Sequence, residues 1–219
     1  MNATQIINEK RHCQSWVNEN SPMVLTEFFS AENSVSIWNR TPIDNISRYF
    51  EQAFDSLGLG IRRVMPIDTL KASIDAILPE YIGKKEAVED IYLLADMMTC
   101  LFNCEAVGLR LEPLQSAMCP SFHVDKIPVR LVNTYLGPGT EWLPVESLYH
   151  KEPVNLKGKM SKTNFDMFYE EAHIQQLNAF DVALLKGQTW QKEQQMAAVH
   201  RSCQVKTNEK RVLLTLDPM

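Results

Sequence analysis

The chain has 219 residues, enough for one domain of generous size or for one domain with a helical extension. Its apolar content is ordinary for a globular protein and supports a real core, while a net charge of −5 with acids and bases interspersed excludes the electrostatic footprint of a nucleic-acid binder. The amino terminus lacks the apolar run of a signal peptide, no stretch is apolar enough to span a bilayer, and five cysteines lack a framework spacing, so a soluble cytoplasmic protein is expected.

A polar lead-in runs to about Pro22, and a short strand-like piece covers residues 34–38. Asp44 can cap a helix from about 45 to 57, with Ile46, Tyr49, Phe50, Ala53, Phe54 and Leu57 at helical spacing. Asp68 opens a second helix, with Leu70, Ile74, Ile77 and Leu78 as its stripe and Pro79 as its stop. The longest helical pattern runs from 84 to about 103, turning Val88, Ile91, Leu94, Ala95, Met98 and Leu101 or Phe102 inward. The first hundred residues therefore read as largely helical.

After Cys104 the pattern changes to strands. Residues 106–111 alternate, 129–135 are rich in β-formers, and Gly137-Pro138-Gly139 is a tight turn. Residues 150–172 form a polar excursion with helix expected around 165–171, and strands resume near Ile174, Val182 and Val212. Helices first and strands later predict an α+β protein, with helices packed on one face of a barrel. The expected division is a helical part over 1–104 and a β core over 105–219, joined in one compact unit.

The chemistry-bearing stretch is Ser121-Phe122-His123-Val124-Asp125. Side chains alternate along an extended strand, so His123 and Asp125 point one way and Val124 the other. A histidine and an aspartate two apart can grip one ion, with His200 as a third ligand from a distant strand. Two imidazoles and one carboxylate form the facial triad of non-haem Fe(II), which leaves coordination positions open. Arg211 follows His200 by eleven residues and opens the last strand.

The order H-x-D, strand, turn, strand, His and trailing Arg resembles the Fe(II)/2-oxoglutarate-dependent oxygenases, over about residues 105–217. The segments 119–125, 137–142, 181–187 and 200–202 resemble, more closely, a bacterial domain-of-unknown-function family covering most of the chain. The oxygenase resemblance implies a double-stranded β-helix, a jelly-roll-like barrel. It also implies Fe(II) on His123, Asp125 and His200, 2-oxoglutarate as cosubstrate and O2 at the remaining metal position. Arg211 would offer its planar fork to the remote carboxylate of 2-oxoglutarate. Tyr135 would add a hydroxyl to the same carboxylate, as a tyrosine does in prolyl-hydroxylase-like members, and Asn133 shares its strand face. One departure stands out: Leu213 occupies the position where many members carry a serine two residues after the arginine. Trp142 and Trp190 are candidates to line a substrate cleft, with buried packing the favoured alternative for both, and loops within 138–172 are candidates to touch the substrate, a small molecule or a protein side chain.

Two other readings use the same residues. Cys100, Cys104, Cys119 and His123 have a spacing that a structural zinc site tolerates, and thiolates select zinc over Fe(II). A cupin-like metalloprotein would keep the metal and not need Arg211. Fold alone does not choose among them.

Overall fold

The computed structural model describes residues 14–150, 167–168, 173–190 and 197–219. The expected helix at 165–171 lies outside the described residues, apart from Met167 and Phe168, which form a short strand.

The chain is α+β. Twelve strands are defined among the described residues: β1 (Trp16–Glu19), β2 (Val35–Trp38), β3 (Ile61–Pro66), β4 (Ala106–Leu114), β5 (Val129–Leu136), β6 (Glu141–Leu143), β7 (Tyr149–His150), β8 (Met167–Phe168), β9 (Gln175–Gln176), β10 (Val182–Lys186), β11 (Val199–Arg201) and β12 (Arg211–Pro218). Seven form one sheet in the order β1-β2-β10-β5-β12-β4-β3, antiparallel except for the β1–β2 pair. A three-stranded sheet, β11-β6-β9, faces part of it, and β7 pairs with β8. No helix among the described residues is long and apolar enough to cross a membrane.

Three helices cover the outer face of the large sheet: α1 (Asp44–Ala53), α2 (Ile67–Ile77) and α3 (Lys84–Phe102). Their apolar stripes are those that the periodicity predicts. Ile46, Tyr49, Phe50 and Ala53 of α1, and Val88, Ile91, Leu94, Ala95 and Met98 of α3, are buried against Val107, Leu109, Leu131, Leu184, Leu214 and Leu216. Each fully buried Val, Leu, Ile, Phe or Met among them contributes about 1.5–3 kcal/mol. Asp44 lies in the first turn of α1 rather than at its cap, where its charge still favours the helix dipole. Asn103 ends α3 in the left-handed conformation, and its N–H returns to the Thr99 carbonyl.

The first hundred residues are less helical than the sequence predicts. They supply β1, β2 and β3, and β2 pairs directly with β10 from the other end of the chain. Trp16–Glu19 is too short to show a period, and Arg62, Arg63 and Val64 of β3 are exposed, so neither strand alternates.

A second core lies between the two sheets, where Val35, Ile37, Val132, Ala183 and Leu185 of the large sheet meet Trp142, Leu177 and Ala198. A third, smaller cluster backs the small sheet: Phe122, Leu143 and Val199, with Val124 and Ile174 against them. These clusters fix which way the neighbouring polar side chains point.

Candidate metal centre

His123 and His200 are joined by the backbone. The His123 N–H donates to the His200 carbonyl at 2.9 Å and the His200 N–H returns to the His123 carbonyl at 3.0 Å, an isolated antiparallel bridge. Phe122, Val124 and Val199 are drawn into the apolar cluster behind the small sheet, so the two imidazoles turn the other way, with ring centroids 4.6 Å apart. Each Nδ1 lies 3.0 Å from a carbonyl two residues back, Ser121 for His123 and Ala198 for His200. Donation there fixes the proton on Nδ1 and presents the Nε2 lone pair to the interior.

Asp125 completes the group. One atom each from His123, Asp125 and His200 lie within 4.8 Å of one another. Asp125 Oδ1 is 3.8 Å from His123 Nε2, and Oδ2 is 3.5 Å from His200 Nε2. Burial works to raise the Asp125 carboxyl, but the His200 hydrogen bond and the charges of His200, Arg130 and His123 outweigh it and hold it at about 2. Burial, then the neighbouring His200, lowers the His123 imidazole below its usual value, so it is neutral near pH 7. A neutral His123 imidazole and an ionised Asp125 carboxylate are protonation states that a divalent cation requires.

Asp125 sits outside any strand, in a loop tied to the turn after β10. The Gln188 N–H donates to the Asp125 carbonyl at 2.8 Å and the Gly187 N–H to the Pro128 carbonyl at 2.8 Å. Gly187 permits this approach, since a Cβ there would lie 1.8 Å from the Ile127 carbonyl oxygen.

The two histidines open onto a cavity lined also by Arg130, Val132, Thr140, Ser202, Arg211, Leu213 and Thr215, with Arg110, Glu112, Met118, Cys119 and Arg201 toward its rim. Its free volume is about 70 Å³, small against roughly 300 Å³ or more for a typical ligand pocket. Arg211 is fully buried. Its Nη1 donates to Ser202 Oγ at 2.8 Å and its Nη2 to Thr140 Oγ1 at 3.0 Å, while Nε has no partner. Burial lowers its pKa, and among the described residues no carboxylate lies within ion-pairing distance of it. Thr215 Oγ1, two strand steps further on, is also buried without a partner. A buried cation with neutral partners is unfavourable unless an anion joins it. The donor set and this cation fit a divalent metal with an anionic chelator.

Several sequence expectations are corrected here. Tyr135 and Asn133 are on the opposite side of the large sheet from the cavity. Tyr135 stacks on Phe50 at 4.8 Å and donates to Asp90 of α3 at 2.8 Å, and Asn133 donates to the Phe180 carbonyl at 2.9 Å. They share a face, as alternation requires, but that face carries the helices. Trp142 faces the interior beside its cross-strand partner His200, yet it packs edge-on against Trp16 at 5.1 Å and does not line the cavity. Trp190 packs with Phe28, Phe29 and Phe102 in the helix-side core. The cysteine site does not assemble. Cys100 is exposed on α3, Cys104 Sγ contacts the Ala106 carbonyl at 3.4 Å, and Cys119 alone of the three lines the cavity. Among the described residues, His123, Asp125 and His200 are the one group of such side chains able to hold a metal. Of the loops expected to touch substrate, residues 151–166 and 169–172 lie outside the described residues.

Sequence reasoning missed Arg130. Its side chain lies between Asp125, at 2.7 Å from Nη1, and Asp217 of β12, which accepts from Nε and Nη2 at 2.8 Å each. The signal was an arginine at the alternate positions of β5 that also include Val132 and Thr134.

The fold has solved counterparts. Dioxygenase for auxin oxidation 1 from Arabidopsis thaliana, solved as a 2-oxoglutarate binary complex, superposes with a TM-score of 0.51 at 10% identity, covering 93% of this chain and 91% of that one. A candidate oxygenase from Shewanella oneidensis gives 0.50 at 11% identity, covering 93% and 89%. At these identities the likeness is one of fold alone. No curated protein matches the sequence. The family described as protein of unknown function, DUF1826, matches residues 19–217, and the chain belongs to that family.

Proposed function

We propose that this protein is an Fe(II)- and 2-oxoglutarate-dependent oxygenase of the hydroxylase type. The observation that carries the reading is Arg211, a fully buried guanidinium with hydroxyl partners only, in the cavity onto which the triad's two histidines open. A metal site without an anionic cosubstrate leaves that charge unexplained. The likeness to a fold seen with 2-oxoglutarate bound supports the same reading.

His123 and His200 would hold the metal through Nε2, and Asp125 through a carboxylate oxygen. Fe(II) together with 2-oxoglutarate would supply the activation of O2 that couples decarboxylation of the cosubstrate to oxidation of a substrate C–H bond. Arg211 would bind the remote carboxylate, while Ser202 and Thr140 hold the guanidinium in plane so that little orientation is lost on binding. Leu213 and Val132 present apolar surface to the same cavity.

The test is calorimetric titration of 2-oxoglutarate into Mn(II)-loaded protein. The parent is expected to bind, and Arg211→Leu to lose roughly a hundredfold in affinity while retaining the metal. A parent that holds metal and ignores 2-oxoglutarate overturns the cosubstrate and moves the weight to a cupin-like centre.

A further inference from the structure

We infer that Arg130 is a positioning residue that makes Asp125 a one-oxygen metal ligand, and that Asp217 is the anchor through which it does so. This rests on the metal site proposed above.

Asp125 needs such a device because no strand holds it. Its backbone is fixed through the turn at Gly187, but a carboxylate can still rotate about its own bonds and chelate through both oxygens. Arg130 removes that freedom. Its Nη1 donates to Oδ2 at 2.7 Å, the oxygen that also lies 3.5 Å from His200 Nε2, so Oδ1, 3.8 Å from His123 Nε2, is the oxygen with no guanidinium against it. Arg130 is itself immobilised, because Nε and Nη2 form a two-pronged pair with the two oxygens of Asp217, both at 2.8 Å. The side chains of all three residues are about one-seventh exposed.

The framework behind this chain of contacts is rigid. Arg130 is on β5 and Asp217 on β12, neighbours near the centre of the large sheet. The same β12 begins with Arg211. One strand thus carries the proposed carboxylate-binding group at its start and the anchor of a metal ligand near its end, which fixes the spacing between the two halves of the site.

The competing explanation is that Arg130 only satisfies two acidic side chains and stabilises the fold. Co(II) titration of the metal-free protein, followed by its visible spectrum, separates the two. For Arg130→Met we expect affinity to fall by about 10- to 100-fold. The cobalt bands should also weaken, because a freed Oδ2 adds a second carboxylate oxygen and raises the coordination number. Asp217→Asn keeps the arginine and loosens its anchor, so it should give a smaller change of the same kind. It also carries the test if Arg130→Met does not fold. A lower Tm with parental affinity and spectrum in both variants overturns the inference and leaves a structural role. A parent that binds no Co(II) overturns the metal site itself, and the inference with it.

Discussion

Tyr135 and Lys186 show what single side chains contribute away from the metal. The Tyr135 hydroxyl and Arg40 both serve the buried Asp90 carboxylate, and burial followed by Asp90 pushes the phenol well above its ordinary pKa. Tyr135→Phe removes one hydrogen bond to a charged acceptor, which should cost about 1.5–3 kcal/mol in denaturant unfolding. Affinity for 2-oxoglutarate should be unchanged, and a large loss there would put Tyr135 back in the pocket. Lys186 has the opposite problem. It is 1% exposed, its ammonium reaches the Ser30 carbonyl at 2.5 Å, and burial pulls its pKa from 10.5 to about 8. The unfolded chain binds that proton more tightly, so the penalty is fully present below pH 8 and disappears as pH rises toward the unfolded value. Lys186→Met should therefore be more stable than the parent by about 2 kcal/mol at pH 7. The difference should close toward pH 10, and a constant gap across that range would rule out a buried charge as its cause.

At the scale of elements, the site depends on a loop held against a turn. Gly187→Ala forces a Cβ to within 1.8 Å of the Ile127 carbonyl oxygen, so the segment from Asp125 to Ile127 must move. Loss of a few kcal/mol of stability and weaker Co(II) binding are expected together, in thermal unfolding and metal titration. Parental metal affinity in that variant would show that Asp125 does not depend on this packing. The elements also explain what the sequence disclosed. The stripes of α1, α2 and α3 were legible because one face of each is buried and the other wet. Strand β5 was not legible in the same way. Leu131 and Tyr135 face the helices while Val132 and Thr134 face the small sheet, and all four are buried. Alternation shows which residues share a face, but with both faces apolar it does not tell which face holds the site. The oxygenase resemblance pointed Tyr135, and with it Asn133, to the pocket, and nothing in the alternation of β5 marked Arg130 and its face as the one that holds the site.

In the whole molecule, the four groups of the proposed centre come from three separated stretches of chain: 123–125, 200 and 211. Their order along the sequence was readable from the pattern H-x-D, His and trailing Arg, which resembles that of the oxygenases. The joining contacts were not, since the His123–His200 bridge and the Arg130–Asp217 pair bring together residues 77 and 87 positions apart. A metal held by such distant segments binds the folded chain and not the unfolded one. Saturating metal at 100 times its Kd should then add about 2.7 kcal/mol of stability. The proposed centre is best probed by anaerobic titration of the metal-free protein with Fe(II), followed by 2-oxoglutarate, watching visible absorption. A weak charge-transfer band should form only when both are present and be absent in Asp125→Ala and in Arg211→Leu. A parent that binds no Fe(II), or binds it without that band at saturating 2-oxoglutarate, would rule this centre out.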